Sequence, residues 1–246
     1  LHLLSRRQRQ MCIRDSIWHR VGYVNWGYEA IGRFQNWEQI ANYPIDNDRK
    51  GNRTVVPGDI MYKDQNNDGV INYLDERPIG YRVDSTPTLN FGINLSASWK
   101  GFDLAMDWTG SGMTSWNQCY ETARPFQNDG NSPDEVLKDA WHLSDIWDAN
   151  SPLIPGKYPM IRLNTDETSA YDKSSYWLHN VTYLKLRNLE VGYTFPKTWL
   201  NKTGISNLRL FVSGTNLLTL SNLSVMDPEC ASDNGLDYPP MRVINI

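Results

Sequence analysis

Apolar and polar residues alternate through two adjoining stretches near the middle of the chain, residues 89–99 and 102–109. A period of two is typical of a strand with one apolar and one polar face. Lys100 and Gly101 between the stretches are typical of a two-residue hairpin turn. That turn would oppose four apolar pairs on one face: Trp99–Phe102, Ala97–Leu104, Leu95–Met106 and Ile93–Trp108. Because a slip of one residue separates all four pairs, the pattern specifies the register.

The length of the two arms indicates whether the apolar face packs against lipid or against the core of a soluble domain. Each arm alternates for about 9–11 residues, enough for a tilted strand to cross a bilayer, whereas strands of soluble domains commonly have about 5–6. Aromatic residues lie near both ends of the pattern, as in the interfacial girdles of outer-membrane barrels. The inward face of a soluble β-sandwich would show the same alternation, so the hairpin alone leaves both folds open.

Weaker alternation elsewhere predicts further strands in the same sheet. About six antiparallel strands are expected near residues 17–34, 88–99, 102–110, 178–195, 207–218 and 239–246, in one curved open sheet. The apolar positions change parity between Leu186 and Leu189, which predicts a bulge near Arg187 and Asn188 or a change of surroundings.

Two short helices interrupt the strands. Residues 36–43 are long enough for about two helical turns before Pro44. A second helix is predicted after Ser132, with Ser132 as its N-cap, Pro133 at its first position and Glu135 completing a capping box.

The connections between the predicted strands alternate between long and short. Residues 37–88 and 110–176 form long connections, 219–238 an intermediate one, and 100–101 and 196–206 short ones. Long loops at one end and tight turns at the other are typical of outer-membrane barrels. The predicted fold class is therefore all-β, a partial antiparallel transmembrane β-barrel with open edges and long extracellular loops. Aromatic residues in 110–176 suit either sugar stacking or loop packing.

Composition and motifs argue against several other classes of protein. No apolar run approaches the about 18 residues of a transmembrane helix, and the mean hydropathy is −0.56. A net charge of −4 gives no electrostatic reason to expect nucleic acid as a partner. Three cysteines are too few and too scattered for a disulfide framework. The chain carries no metalloprotease, serine-hydrolase, phosphate-loop or dinucleotide motif, so no enzymatic activity is predicted.

The first 16 residues differ from the rest of the chain. They contain Arg6, Arg7, Arg9 and Arg14 without a strand or helix period, and they lack the features of a signal peptide. We interpret residues 1–16 as non-native sequence, with a basic surface arm as the alternative. Residues 17–246 then form one structural region.

One loop carries the spacing of a calcium site. Counting from Asp64, oxygen-bearing side chains occupy positions one, three, five and twelve, Gly69 is at six, and position seven offers a backbone carbonyl. This is the order of ligands in an EF-hand calcium loop, with Asp where Glu is usual at twelve. The predicted ligands are Asp64, Asn66, Asp68, the Val70 carbonyl and Asp75. A turn rich in Asn, Asp and Gly, closed by side-chain to backbone hydrogen bonds, is the alternative.

An ordered series of sequence blocks resembles a known family. The blocks are GDIMYKDQNNDGVIN, TPTLNFGINLSASWKGFDLAMDWTGSGM, YLKLRNLEVGYTFPKTWL, GISNLRLFVSGTNLLTL, MDPE and YPPMR. Over residues 17–246 they are similar to the C-terminal barrel region of SusC/RagA-type TonB-dependent outer-membrane transporters. This chain has no plug or TonB box and too few strands to close such a barrel, so it is interpreted as a fragment.

The resemblance implies an importer in the outer membrane of a Gram-negative cell. It implies import of oligosaccharides or peptides, powered by the TonB complex through an N-terminal plug and covered by a SusD-like surface lipoprotein. Outer-membrane lipid would surround the barrel, and calcium is the one cofactor that the residues suggest. The alternative is a secreted, calcium-stabilised β-sandwich that binds glycans. Two face-packed sheets sharing Leu95 and Met106 in one core would favour this alternative.

Overall fold

The computed structural model describes residues 24–81, 87–163, 168–201, 204–229, 238 and 240–245. These residues form two compact units. The first, here called the loop unit, contains 24–81, 115–163 and 168–179. The second, here called the sheet unit, contains 87–114, 180–201, 204–229, 238 and 240–245. Residues 1–16, interpreted above as non-native, lie outside the described residues, as do 17–23.

Most of the regular structure in these residues is β-strand. The strands are β1 Val24–Gly27, β2 Ala30–Arg33, β3 Ile60–Tyr62, β4 Arg77–Tyr81, β5 Leu89–Trp99, β6 Phe102–Asn117, β7 His142–Leu143, β8 Leu153–Ile154, β9 Leu178–Thr194, β10 Arg209–Ser221 and β11 Val243–Asn245. The α-helices are α1 Trp37–Ala41, α2 Asp134–Lys138 and α3 Lys197–Leu200. No helix in the described ranges has the length and apolar character needed to cross a membrane. The predicted all-β class is confirmed.

Four long strands and the three-residue β11 form an open antiparallel sheet in the order β11-β10-β9-β6-β5. The hairpin of β5 and β6 has the predicted register, with Leu95 opposite Met106 and Trp99 opposite Phe102. Its turn residues Lys100 and Gly101 have φ of 48° and 89°. Positive φ at both central residues is the geometry whose twist matches that of two antiparallel strands.

The apolar face of this hairpin is exposed. All eleven residues of β5 are exposed, and Leu95 keeps 49% of its surface accessible. The β5–β6 hairpin belongs to the single five-stranded sheet, and the other sheets of the described chain are two-stranded. The described residues therefore do not show the shared core of a sandwich around Leu95.

The first predicted strand is wrong, because residues 24–33 do not join the main sheet. They form β1, which pairs with β4, and β2, which pairs with β3. In β1 the structure buries Asn25 and Gly27, whereas Val24 and Trp26 are half-buried. Asn25 is accommodated because its Oδ1 accepts a hydrogen bond from Lys173 Nζ at 2.7 Å. The sheet consequently has five described strands where about six were predicted.

The predicted irregularity near Arg187 is present. Pairing between β9 and β10 shifts between Thr215 and Leu218, opposite residues 186–188. Arg187 donates to Thr109 and Asn188 donates to Asp107, two positions of the same parity on β6. Both side chains therefore reach the polar face of the sheet. This arrangement lets Leu186 and Leu189 share the apolar face although they are three residues apart.

The two predicted helices differ in accuracy. Helix α1 has Asn36 as its N-cap, whose Oδ1 accepts from Gln39 N at 2.8 Å. Helix α2 begins at Asp134, one residue later than predicted, and its cap position is Pro133 with no side-chain hydrogen bond. Ser132 is therefore not the N-cap, and the predicted capping box is wrong. The starting carbonyl is that of Pro133, which accepts from Val136 N at 3.0 Å.

The long connections contain a folded aromatic core in the loop unit. Trp177 is 1% exposed and stacks against Tyr158 and Tyr171, with ring centroids 6.1 and 5.6 Å away. Ile60 and Ile71 are fully buried in the same cluster. Several aromatic residues of the long connections therefore have a packing role.

Candidate metal site

The predicted calcium loop lies in the loop unit between β3 and a short 3₁₀ turn at Tyr73–Asp75. Carboxylate oxygens of Asp64, Asp68 and Asp75 lie within 4.8 Å of one another. This is the one such group of acidic, histidine or cysteine side chains in the described ranges. The structure thus brings together the three carboxylates that the spacing predicted.

Backbone conformation directs these side chains inward. Gly69 has φ of +83°, the left-handed conformation that favours glycine, and Asn67 adopts a similar value of 61°. These two residues turn the chain between positions one and six of the loop. A substituted Cβ at Gly69 would find no atom within 4 Å, so its backbone conformation is the reason for glycine at this position.

A dense set of hydrogen bonds holds each carboxylate. Asp64 accepts from Asn67 N and Gly69 N at 2.6 and 2.8 Å. Asp75 accepts from Gln65 N and Asn72 N, both at 2.8 Å. These bonds order the oxygens, as the turn alternative requires. Each of these four oxygens of Asp64 and Asp75 accepts one of the bonds and has a second lone pair, so the same bonds are compatible with a cation.

Asn66 and Val70 lie in the same loop. Asn66 Oδ1 accepts from Asp68 N at 3.0 Å, and its Nδ2 donates to Asp68 Oδ2 at 2.8 Å. The Val70 carbonyl accepts from Asn72 Nδ2 at 3.1 Å. Asn66 is thus next to the acidic group, with its amide nitrogen toward Asp68. All five residues predicted as ligands are described, and metal binding by them stays a prediction.

The electrostatics differ along the loop. Asp68 is exposed, and hydrogen bonds from Val70 N, Asn66 and Asn72 lower the pKa of its carboxyl group. Asp75 is fully buried. A group of three carboxylates within this distance repel one another when ionised, and a bound divalent cation removes that repulsion.

The loop is fixed to a neighbouring polar turn. Asp46 N donates to Gly69 O at 2.8 Å, and Ile71 N donates to Asp46 O at 2.9 Å. Ile71, at loop position eight, is fully buried in the aromatic core. These contacts anchor the loop to the turn at Asp46 and to the aromatic core.

One supporting feature was missed by the sequence analysis. Asn72 and Asp75 form a capping box at the start of the 3₁₀ turn Tyr73–Asp75. Asn72 Oδ1 accepts a hydrogen bond from Leu74 N at 2.9 Å, and Asp75 Oδ2 accepts one from Asn72 N at 2.8 Å. The sequence does contain a signal for this cap, because Asn72 is followed three residues later by Asp75, the spacing of a capping box.

Comparisons with known proteins identify related sequences and a related fold. No model of a protein family matches the chain. It is 30% identical to TonB-dependent receptor P3 of Formosa agariphila over 226 residues, which cover 85% of this chain and 21% of that receptor. It is 24% identical to TonB-dependent receptor SusC of Bacteroides thetaiotaomicron, over 90% of this chain and 18% of SusC. The chain spans about a fifth of the length of these curated relatives.

A solved structure has a similar fold. A chain in the structure of the RagAB peptide transporter matches with a TM-score of 0.51 and 20% identity, over 84% of this chain and 20% of that chain. At this identity the likeness concerns the fold alone. The two sequence relatives are named as receptors and the solved structure as a transporter; none of the three is named as an enzyme.

Proposed function

This chain is related over most of its length to TonB-dependent receptors of the SusC/RagA type, and from this relationship we propose that it forms the wall of an outer-membrane importer. The intact protein takes up oligosaccharides or peptides across the outer membrane of a Gram-negative cell. Energy for import comes from the TonB complex, and a SusD-like lipoprotein covers the extracellular side.

The observation that carries this proposal is the contrast between the two faces of the sheet. Apolar residues of β5 and β10 are exposed on one face, with Leu210 at 60% and Val212 at 48%. On the other face, Arg209 of β10 pairs with Asp103 of β6 and Glu190 of β9. An apolar outer face and a polar, charged inner face are typical of an outer-membrane barrel.

The connections support an orientation. Thr194 at the end of β9 donates its N–H to the Gly101 carbonyl at 2.8 Å, so the β9–β10 connection shares an end with the tight β5–β6 turn. The longer connections leave the other ends of these strands. Outer-membrane barrels have short turns on the periplasmic side and long loops outside the cell. We place the Lys100–Gly101 turn in the periplasm accordingly.

The acidic loop is proposed to hold a structural calcium ion. The loop precedes β5, whose first residue is at the end opposite the tight turn, so the proposed orientation puts the loop outside the cell, where calcium is plentiful. Asp64, Asp68, Asp75, Asn66 and the Val70 carbonyl would supply oxygen ligands, the type that calcium prefers. The ion would order the approach to β5 by neutralising the three carboxylates.

The substrate class and TonB dependence are tested by uptake in the native cell. We would compare the parent strain with a deletion of the intact receptor, supplying fluorescent oligosaccharides in one arm and fluorescent peptides in the other. The proposal predicts that deletion abolishes uptake of one class, and that uncoupling TonB has the same effect. Unchanged uptake of both classes in the deletion strain would contradict it.

The lipoprotein partner is tested separately. We would purify the tagged intact receptor from outer membranes in mild detergent and identify the bound proteins. The proposal predicts a surface lipoprotein in stoichiometric amount. A receptor that purifies without any lipoprotein, yet still imports its solute, would overturn the partner and leave the importer intact.

A further inference from the structure

Lys185 of β9 is a buried cation on the polar face of the sheet. It is 1% exposed although lysine is almost never fully buried unless its charge is paired. Its Nζ lies 2.9 Å from Asp227 Oδ2 and 2.9 Å from Glu229 Oε2. Both carboxylates belong to the segment that follows β10, so a piece of loop supplies the charges that balance a strand residue.

A second cation completes the cluster. Arg187, two residues along β9, pairs with the other oxygen of Glu229. Arg187 also donates to Thr109 of β6 at 3.0 Å and to Asn216 of β10 at 3.3 Å. Two cations and two carboxylates therefore form a neutral group whose members are Lys185, Arg187, Asp227 and Glu229. Neutrality and shared hydrogen bonds are what a buried charge requires.

The segment is also fixed where it leaves β10. Asn222 Oδ1 accepts from Thr182 N at 2.9 Å, and Asn222 Nδ2 donates to Asn180 O at 2.7 Å. Within the segment, Glu229 N donates to Asp227 Oδ1 at 3.0 Å, which orients both carboxylates. Residues 225–229 are all half-buried. The chain is thus held at its entry by Asn222 and beyond it by the charge cluster.

We propose that residues 225–229 are a permanent strap, locked onto the polar face of the sheet by Lys185 and Arg187. The lock is stable because releasing the strap would break the three ion pairs of Lys185 and Arg187 together, whereas a single exposed ion pair contributes little. Screening by salt is weak for buried charges, so the strap stays in place at physiological ionic strength.

The strap has a consequence for the face that it covers. On the function proposed above, this face lines the barrel interior, where free lysine and arginine side chains would attract anionic solutes. Lys185 and Arg187 are already neutralised by the strap and are therefore unavailable to a solute. The strap itself belongs to the sheet unit, and its existence does not depend on transport.

Hydrogen exchange of the strap in the intact receptor, purified in detergent, tests the proposal. Wild-type amides of residues 225–229 should be protected. Lys185→Met, which keeps an unbranched side chain one atom shorter and removes its charge, should accelerate their exchange by roughly 100-fold. The matched control is Lys63→Met, because Lys63 forms an exposed pair with Glu29 at 3.3 Å, and it should leave the strap unchanged.

Two results would overturn the strap. One is exchange of residues 225–229 in the wild type at the rate of an unstructured peptide. The other is equal protection in the wild type and in Lys185→Met while β9 and β10 stay protected. If Lys185→Met does not assemble, Asp227→Asn takes its place. The Asp227→Asn variant leaves Lys185 paired with Glu229, so it should accelerate exchange of residues 225–229 by only about tenfold. No acceleration in this variant would also contradict the proposal.

Discussion

At the scale of single residues, the acidic loop is where sequence and structure agree in most detail. Spacing alone selected Asp64, Asp68 and Asp75, and their oxygens lie within 4.8 Å of one another. The reason is mostly local: alternate oxygen side chains and a glycine that adopts positive φ shape the turn, and the bonds to Asp46 add an anchor that the spacing does not show. The hydrogen bonds that the structure shows fit either the turn or the metal hypothesis, so only a binding measurement separates them.

We predict that the intact receptor binds calcium with a dissociation constant of about 10⁻⁴–10⁻³ M, the range of extracellular calcium modules. Calorimetric titration should lose this binding in the double variant Asp64→Asn, Asp68→Asn, because two of the three carboxylates are removed. The control is Asp134→Asn, which neutralises an exposed carboxylate of α2 paired with Lys138. Equal heats for the wild type and the double variant would contradict calcium binding and support the alternative, a turn closed by hydrogen bonds alone.

Asp48 gives a prediction about acid. Burial raises the pKa of this carboxyl group, but hydrogen bonds from Thr54, Lys50 and Asn52 together lower the pKa below its usual value. A group whose pKa is lowered by folding stabilises the fold above its unfolded pKa of about 3.9, and this contribution is lost as pH falls through the lower folded value. Protection of residues 46–54 should therefore decline below about pH 4.

This decline is measured by hydrogen exchange corrected for its intrinsic pH dependence. Asp48→Asn should already lose about 1–3 kcal/mol of local stability at neutral pH, since an amide cannot accept all of these bonds. Asp46→Asn is the matched control in the same turn, where the Asp46 side chain accepts from Lys50 N. A similar loss in both variants would mean that Asp48 has no special role.

At the scale of elements, predictability followed the length of the pattern. The register of the β5–β6 hairpin was predicted correctly, because long alternation in both arms leaves one register that keeps all apolar side chains together. The extent of β6 was not, since this strand continues to Asn117, beyond the predicted end at residue 110. Residues 24–33 were misassigned because four-residue strands carry too little pattern, and tertiary contacts of Asn25 decide their burial. Ser132 failed as a cap because a shift of one residue moves it out of reach of the helix amides.

The hairpin turn gives an element-level prediction. Gly101 has φ of +89°, and a Cβ there would lie 2.8 Å from the Thr194 carbonyl oxygen. Gly101→Ala should therefore disturb both the turn and its contact with the end of β9. We expect a destabilisation above the about 1 kcal/mol that positive φ alone costs a residue with a side chain.

The measurement is the urea midpoint at which the assembled receptor loses resistance to protease. Gly204→Ala is the matched control, because Gly204 has φ of +72° but an added Cβ there would meet no atom within 4 Å. The Gly101 variant should shift the midpoint more than the Gly204 variant. Equal shifts would show that the contact with Thr194 contributes nothing.

At the scale of the whole molecule, a role as the wall of a membrane barrel requires that lipid cover the apolar face. The sheet exposes large apolar side chains on both β5 and β10. Contiguous apolar surface of this kind is unfavourable in water and marks a surface that meets a membrane or a partner. The sequence predicted this face from alternation and strand length, and the structure leaves the face exposed. The folded loop unit was not predictable, because its core joins residues far apart in the chain, such as Tyr62 and Trp177.

The most direct test is a nitroxide scan of β5 in the intact receptor reconstituted in a lipid bilayer. A label is placed at each residue from 89 to 99, and its collisions with oxygen, which dissolves in lipid, are compared with its collisions with a water-soluble nickel complex. We predict an alternation of period two, with labels at Leu89, Phe91, Ile93, Leu95 and Ala97 favouring oxygen and those between them favouring nickel. The same accessibility at odd and even positions, or odd positions shielded from both reagents, would contradict a lipid-facing sheet.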